Sequence, residues 1–345
     1  MNTPIIDGHN DVLSHLYEKA QPDDALLRED SATITVPRAK AGGVAAGLFA
    51  VLPPAPSWDM TRTPGGYEIE MAPAVSWEES ARSIGMQGAR LFRLLDACDG
   101  QVRLIRDVAD LDACVAGEAL GVVFHFEGAE AIDTDLDALD VWYAAGLRSV
   151  GLVWSRPNAF AHGVPFRFPS SPDTGPGLTE AGFALVRRCV ERGIAIDLSH
   201  LNEKGFWDVA RTLDGPLIAS HSGAHALCTY SRNLTDAQLD AIKASDGLVG
   251  INFDVGSLRE DGGDDANTPL SRIAEHARYV ADRCGVDHVA LGSDFDGATM
   301  PADVPHAGAY QGVLAALEAA GFATHEVDQI AWRNWRRVLV AAWAG

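Results

Sequence analysis

The chain has 345 residues, of which 47% are hydrophobic and 22% are charged. This composition excludes an intrinsically disordered protein, because the apolar side chains are numerous enough to bury a large core. The formal net charge of -21 repels phosphate backbones and anionic membrane surfaces, so neither nucleic acid nor a membrane is an expected partner.

The cysteines and the N-terminus indicate the compartment. The five cysteines are scattered and form no C-x-x-C pair, which argues against a disulfide framework and against a thiolate zinc site. The chain passes from Met1 into an apolar strand without a basic and apolar leader, and no run approaches 18 apolar residues. A cytoplasmic protein is therefore expected.

Eight short apolar runs predict strands, and segments of helical character separate most of them. Unbroken apolar runs are typical of parallel strands that are covered on both faces. The predicted strands are residues 4–9, 44–52, 121–126, 148–154, 194–199, 216–221, 247–253 and 288–294. Alternation with helices predicts an α/β fold of the (β/α)8 TIM-barrel type, with residues 1–345 as one catalytic domain.

Three helices have clear boundary signals. Leu139 lies in an apolar helical pattern that Gly146 ends, and Thr235 with Gln238 forms a capping box before the next apolar face. A third pattern ends at Cys284, directly before a glycine. These helices are expected to connect predicted strands.

Two proline-rich connections, at about residues 53–77 and 155–178, are too long for simple turns. Such loops are often lids or walls of a substrate site. Linkers between domains are the alternative. The lid interpretation is favoured because the eight strands belong to one barrel only if both sides of each loop do.

The first strand ends in a His-x-Asp pair, His9 and Asp11. Residues i and i+2 of a strand point to the same side, so an imidazole and a carboxylate can converge on one cation. Alone, the pair is weak evidence, since such triplets occur by chance.

Further acids and histidines follow other predicted strands at the end where barrel enzymes carry their chemistry. Glu127 follows the third strand, His200 the fifth, His221 the sixth and Asp294 the eighth. Together with the first pair they exceed what one zinc needs, which indicates two metal ions. Glu127 can bridge two cations that hold a hydroxide nucleophile, and Asp294 can take and return the proton.

The motifs together resemble the membrane dipeptidase (renal dipeptidase) family of binuclear zinc peptidases, within the amidohydrolase-like metal-dependent barrels. The resemblance covers nearly the whole chain. Its motifs are Asp7-Gly8-His9-Asn10-Asp11, Glu127-Gly128, Gly177-Leu178-Thr179, Asp197-Leu198-Ser199-His200, Ser220-His221-Ser222, Arg232-Asn233, Gly292-Ser293-Asp294-Phe295-Asp296-Gly297, Asn334 and Arg337-Val338.

The resemblance implies two Zn²⁺ ions per chain, although other divalent metals can use the same donor set. His9 and Asp11 would hold one ion, His200 and His221 the other, and Glu127 would bridge them. A homodimer is compatible with the resemblance.

Two further residues receive roles from the resemblance. Asp294 matches the catalytic acid/base, and Arg232 matches the arginine that binds the C-terminal carboxylate of the substrate. A guanidinium fork suits a carboxylate, since it can donate two parallel hydrogen bonds.

The chain departs from the family pattern at three positions. Trp154 stands where the family usually has a histidine that contacts the scissile carbonyl, and an indole can donate a hydrogen bond but cannot carry a charge. Asp254 stands where tyrosine is frequent. His125, two residues before Glu127, would face the interior one layer deeper, either as a supporting or extra ligand or as a core histidine.

The predicted function is hydrolysis of small dipeptides by a metal-bridging hydroxide. The family's tolerance of a D-residue extends the expected substrates to L-Xaa-D-Xaa dipeptides. A hydrolase of another small amide or lactone is one alternative, and a catalytically silent, metal-containing binding protein is another.

Overall fold

The computed structural model describes residues 3–55, 60–63 and 65–344. Its strands alternate with helices along most of the chain. In chain order the strands are β1 (Ile5–Asn10), β2 (Val44–Val51), β3 (Met60–Thr63), β4 (Gly66–Ile69), β5 (Val102–Leu104), β6 (Leu120–Glu127), β7 (Leu147–Gly151), β8 (Arg167–Phe168), β9 (Ala195–Asp197), β10 (Ile218–Ser222), β11 (Leu248–Ile251) and β12 (Val289–Leu291).

Eight of these strands form a parallel barrel in the order β1-β2-β6-β7-β9-β10-β11-β12, and β5 pairs with β6 outside this path. They correspond one for one to the eight predicted runs. The first and last strands are joined at the rim, where the Asp11 N–H donates to the Phe295 carbonyl at 2.8 Å and the Asp294 N–H to the His9 carbonyl at 3.0 Å. The predicted (β/α)8 fold is confirmed.

The helices surround the barrel. In chain order they are α1 (Val12–Glu18), α2 (Val36–Gly42), α3 (Trp77–Ala97), α4 (Val108–Val115), α5 (Asp137–Ala145), α6 (Glu180–Arg192), α7 (Glu203–Thr212), α8 (Asp236–Ala244), α9 (Val255–Leu258), α10 (Ser271–Cys284), α11 (Tyr310–Ala319), α12 (Thr324–Asp328) and α13 (Asn334–Trp343). None of the described helices combines the length and apolar character needed to cross a membrane.

The three predicted helix boundaries are confirmed. Gly146 ends α5 in the left-handed region at φ 112°, which glycine adopts without strain. Thr235 accepts from the Gln238 N–H and the Gln238 side chain accepts from the Thr235 N–H, so the capping box begins α8. The third pattern is α10, which ends at Cys284.

The amino-terminal ends of the strands are sealed by α13. Trp335 on this helix is fully buried and packs with Ile6 and Ala290, which lie at or near the starts of their strands. Its indole N–H donates to the Leu291 carbonyl at 3.0 Å. The opposite rim, at the carboxyl ends of the strands, is left for the polar side chains.

The two long connections meet in a second small sheet that the sequence did not predict. β3 and β4 form an antiparallel hairpin, and β4 pairs with β8 so that Tyr67 lies opposite Phe168. The Ile69 N–H extends this pairing to the Phe166 carbonyl at 2.9 Å. Residues 56–59 and 64, within the first predicted loop, lie outside the described residues.

We expect Gly8→Ala to lower the free energy of unfolding by about 1–3 kcal/mol, because the barrel interior has no room for a methyl group. A Cβ on Gly8 would lie 2.5 Å from the Ser220 carbonyl oxygen and 2.9 Å from that of Leu291, and would also collide with Trp335. Urea unfolding followed by circular dichroism measures the change.

The matched control is Gly85→Ala in the middle of α3, where nothing lies within 4 Å of the new Cβ. This change should stabilise the protein by about 0.5–1 kcal/mol through backbone entropy. Equal effects of the two substitutions would contradict the tight packing inferred at Gly8.

Candidate active site

Polar side chains from five strands converge at the carboxyl rim of the barrel. Three lie within their strands and the other three follow directly after strands, because parallel strands bring these ends to one edge. Five of them are buried and Asp294 is partly exposed; they are His9 on β1, Asp11 after β1, Glu127 at the end of β6, His200 after β9, His221 on β10 and Asp294 after β12.

Glu127 lies at the centre of this group. Its Oε1 is 2.9 Å from Nε2 of His200 and 3.6 Å from Nε2 of both His9 and His221. The Nε2 atoms of His200 and His221 are 3.1 Å apart. Asp11 Oδ2 lies 3.8 Å from Nε2 of His9. One carboxylate oxygen therefore faces three imidazoles.

Two serines orient two of the histidines. The Ser155 hydroxyl lies 2.8 Å from Nδ1 of His200, and the Ser220 hydroxyl lies 2.8 Å from Nδ1 of His221. Ser220 in turn donates to Asp197 Oδ2 at 2.5 Å. With Nδ1 occupied, each ring presents Nε2 to Glu127, an arrangement that fixes the tautomer of a metal-binding histidine.

These residues fit a metal centre. His9, Asp11 and Glu127 offer ligand atoms within 4.8 Å of one another, and so do Glu127, His200 and His221. Both ring nitrogens of the fully buried His9, and Asp11 Oδ1, make no hydrogen bond to any residue that the structure describes. Buried polar atoms without partners are costly, and bound cations would satisfy them.

The pKa values of the site residues also indicate a place for a bound cation. Burial holds the pKa values of His200 and His221 well below the ordinary value, so both imidazoles are in the neutral form that binds metal. Burial raises the pKa of Glu127. Although burial opposes it, the negative charge of Glu127 is the main factor that raises the pKa of His9 to about 10. A cation at this position is thus favoured electrostatically.

Two of the converging residues have left-handed backbone conformations. His200 has φ 65° and Asp294 has φ 62°. Non-glycine residues adopt this region at some energetic cost, and such positions cluster at functional sites. The conformation turns each side chain back over the barrel mouth after its strand ends.

Asp294 and Arg232 both lie close to His221. Asn252 donates to Asp294 Oδ2 at 3.0 Å, and burial followed by the charge of Asp11 raises the pKa of Asp294. The buried Arg232 donates from Nη2 to the His221 carbonyl at 3.2 Å. Both side chains line the same cavity, so a carboxyl group and a buried guanidinium can face one small molecule.

Of the three residues that depart from the family pattern, two line the cavity and one lies deeper in the barrel. Trp154 and Asp254 line the cavity, and Asp254 accepts from the N–H groups of Gly256 and Ser257 while burial and the charge of Asp294 raise its pKa to about 7. His125 lies one layer deeper: its ring contacts that of His9 edge-on at 5.4 Å.

Both ring nitrogens of His125 lie close to polar side chains. Its Nδ1 lies 2.9 Å from the Ser149 hydroxyl and its Nε2 lies 3.7 Å from Asp197 Oδ2, while burial lowers its pKa to about 3. The ring is therefore neutral and supports the floor of the site.

The cavity has a volume of about 860 Å³ and is lined in part by residues that sequence reasoning missed. Tyr67 on the hairpin, Phe166 before β8 and Tyr230 form one aromatic wall with Trp154, in which the Phe166 and Tyr230 rings stack at 6.4 Å and the Trp154 and Phe166 rings meet at 5.6 Å. The sequence signal for this wall was the presence of aromatic residues in the two proline-rich segments, such as Tyr67 and Phe166. That signal does not indicate where the two segments fold.

Comparisons with known proteins agree over the whole chain. A family model described as membrane dipeptidase (peptidase family M19) matches residues 1–343. A metallo peptidase from Rhodobacter sphaeroides, whose crystal structure contains a phosphinate mimic of the dipeptide L-Ala-D-Ala, has a TM-score of 0.95 and 41% identity, covering 99% of this chain and 100% of that chain.

Two sequence relatives extend these findings. The dipeptidase tcpJ of Claviceps purpurea is 27% identical over 340 residues, which cover 96% of this chain and 76% of that protein. An uncharacterized protein from the pqqA 5' region of Klebsiella pneumoniae is 46% identical over 257 residues, 74% of this chain and 95% of that protein. The same chain is thus similar to bacterial and fungal proteins.

We expect Ser220→Ala to lower the free energy of unfolding by about 1–3 kcal/mol, because it leaves a buried acceptor, Asp197 Oδ2, and a buried donor, the Nδ1–H of His221, without their serine partner. Asp197 Oδ2 would lose its 2.5 Å hydrogen bond and Nδ1 of His221 its only serine partner. Urea unfolding of the metal-free protein measures the loss without any contribution from bound ions.

The matched control is Ser80→Ala, which removes a buried hydroxyl that makes no hydrogen bond in α3. That substitution should leave stability unchanged or raise it slightly, since no partner is lost and alanine favours helix. A loss at Ser220 no larger than at Ser80 would contradict the orienting role of Ser220.

Proposed function

The chain belongs to the membrane dipeptidase family and is a metal-dependent hydrolase of dipeptides; from this premise we propose that it uses two zinc ions and accepts L-Xaa-D-Xaa substrates. The observation that carries the proposal is the carboxylate oxygen of Glu127 with three imidazole nitrogens within 3.6 Å. Such a donor set matches zinc, which prefers nitrogen and carboxylate ligands.

We assign His9 and Asp11 to one ion, His200 and His221 to the other, and Glu127 to both. The three short distances to Glu127 Oε1 support a shared ligand, because the two ions of such centres lie about 3.5–4 Å apart. When bound, the metal ions supply a water made nucleophilic at neutral pH and a Lewis acid for the scissile carbonyl.

Asp294 is the residue to which we assign proton transfer. Its raised pKa brings the carboxyl closer to neutral pH, where one group can both accept and return a proton. The hydrogen bond from Asn252 at 3.0 Å holds one oxygen and leaves the other for the reacting atoms. The proton taken from water would pass to the leaving amine as the peptide bond breaks.

Arg232 is the proposed anchor for the substrate's free carboxylate. It is a buried cation that lines the cavity beside His221, so a carboxylate bound there would lie within a short peptide's reach of the metal ligands. This spacing favours dipeptides over longer chains, because a third residue would displace the carboxylate from the guanidinium.

The stereochemistry follows from the relatives by analogy. The Rhodobacter sphaeroides peptidase binds a mimic of L-Ala-D-Ala, and it is 41% identical to this chain. We therefore place L-Xaa-D-Xaa dipeptides among the substrates. Trp154 and Asp254, which line the cavity, are the positions at which this chain's side-chain preference would differ from the family.

The direct test is amino-acid release from a panel of L-L, L-D and D-L dipeptides, each paired with its C-terminal amide, by the zinc-loaded and the chelated protein. Cleavage should depend on metal. The amides should show a kcat/KM roughly 10- to 100-fold lower, which is the worth of a charge-assisted hydrogen bond to Arg232.

Metal content by mass spectrometry accompanies the panel. Two equivalents of zinc with no cleavage of any dipeptide would favour the alternative of another small amide or a lactone as substrate. One equivalent with full activity would refute the two-ion assignment. Equal cleavage of acids and amides would refute the role of Arg232.

We expect Asp294→Asn to lower kcat by about 100-fold or more while both metals stay bound, since the amide cannot take up the proton. The measurement is steady-state kinetics on the best dipeptide, with metal content determined on the same sample. Full activity in this variant would remove Asp294 from the mechanism.

A further inference from the structure

Arg156 is a fully buried charge that the proposed mechanism does not use. Its side chain has no exposed surface, and among the described residues that line the cavity it does not occur. Burial of a guanidinium is costly unless its charge and its donors find partners. Those partners therefore indicate what the side chain holds in place.

The charged fork of Arg156 reaches the start of the first long connection. Nη2 donates to the Pro53 carbonyl at 3.1 Å and Nη1 to the Pro54 carbonyl at 3.3 Å. These two prolines lead from β2 towards the β3–β4 hairpin, which contributes Tyr67 to the cavity. Arg156 thus ties the start of the first long connection to the segment that follows β7.

The counter-ion of Arg156 is Glu130. This carboxylate is 4% exposed, and its Oε1 lies 3.8 Å from Nε of Arg156. Burial raises the pKa of Glu130 to about 7, and the charge of Arg156 opposes that rise. The pair is isolated from solvent, so removal of one member would leave the other without compensation.

The flat face of Arg156 contacts the residue at the family's histidine position. Its guanidinium carbon lies 4.8 Å from the ring centroid of Trp154, within the range of a cation–π attraction. On the cavity side, the Trp154 ring lies 6.0 Å from the ring of His200 and 5.6 Å from that of Phe166. The indole of Trp154 therefore lies between the buried guanidinium of Arg156 and the cavity.

We propose that Arg156 is a positioning residue for dipeptide hydrolysis, which holds the Trp154 indole beside His200 and fixes the start of the connection that carries the β3–β4 hairpin. The inference rests on the proposed function of this site. Arg156 acts through Trp154 and through the Pro53 and Pro54 carbonyls, because it does not itself reach the cavity. The chain thereby keeps a positive charge behind the position where the family usually has a histidine.

The test removes both charges together in a Glu130→Gln/Arg156→Met protein, so that neither a buried carboxylate nor a buried guanidinium is left unpaired. Compared with the unsubstituted protein, this double change should lower kcat/KM for dipeptides by about 2- to 30-fold, the range that a cation–π contact accounts for. Repeated with Trp154→Leu also present, the same change should have little effect, since an aliphatic side chain does not attract a cation. Equal losses with Trp154 and with Leu at this position would overturn the proposal.

Arg156→Lys, with Glu130 intact, should recover part of the loss because an ammonium can still lie over the ring, although it lacks the planar fork. A matched control is Arg278→Met, which removes a guanidinium that lies 3.5 Å over the Phe322 ring, away from the cavity. The control should leave kcat and KM unchanged. A comparable loss there would identify general destabilisation as the cause.

A second readout does not depend on catalysis. Trypsin cleavage after Arg62, in the exposed strand β3, should be several-fold faster in the Glu130→Gln/Arg156→Met protein than in the unsubstituted protein, because the connection that carries the hairpin is released at Pro53 and Pro54. Unchanged cleavage would refute the tie to the hairpin. If the unsubstituted protein hydrolysed no dipeptide, the proposed function would fail, and this digestion would still decide whether Arg156 fixes the hairpin.

Discussion

The site depends on the buried carboxylate of Glu127 and on the groups that compensate its charge. A carboxylate in a barrel mouth is unstable without cations or donors close by. Three imidazoles from three other strands meet this need, and their Nε2 atoms lie 2.9–3.6 Å from one oxygen. The serine hydroxyls of Ser155 and Ser220 fix two of the rings from behind. Because parallel strands bring their carboxyl ends to one rim, residues more than 200 positions apart in sequence form a single centre.

The barrel, and the convergence of the candidate ligand residues at its rim, could be predicted because both depend on local pattern. Apolar runs mark buried strands, and polar residues directly after them, such as His9 and Glu127, must lie at the rim. The β3–β4–β8 sheet could not be predicted, since its strands have only two to four residues each and β4 pairs with β8 across about 100 residues. Arg156 gave no signal either, because a single arginine in a proline-rich segment is ordinarily solvated, and only the fold reveals that it is enclosed.

Trp154 places a neutral indole ring beside the ring of His200. A histidine at this position could carry a charge next to the reacting carbonyl, whereas an indole stays neutral. The positive charge of Arg156 nevertheless reaches the centre: it contributes to the lowered pKa of His200, and the charge of Glu127 favours the ionised form of Arg156 in return. The cation lies behind an aromatic ring, so it acts at a distance and cannot donate a hydrogen bond to substrate.

In the small β3–β4–β8 sheet, different groups determine the width of the cavity entrance and the side chains exposed there. Main-chain pairing joins the hairpin to β8, with Tyr67 opposite Phe168 and Glu68 opposite Arg167, so the opening is set by backbone hydrogen bonds. Along β3 all four side chains are exposed and take no part in that pairing. Mutations on β3 can change the side chains that a molecule contacts as it enters the cavity. They need not alter the distance between the hairpin and β8. Single substitutions on β3 can therefore change the selectivity of this protein while the backbone pairing of β4 with β8 stays the same.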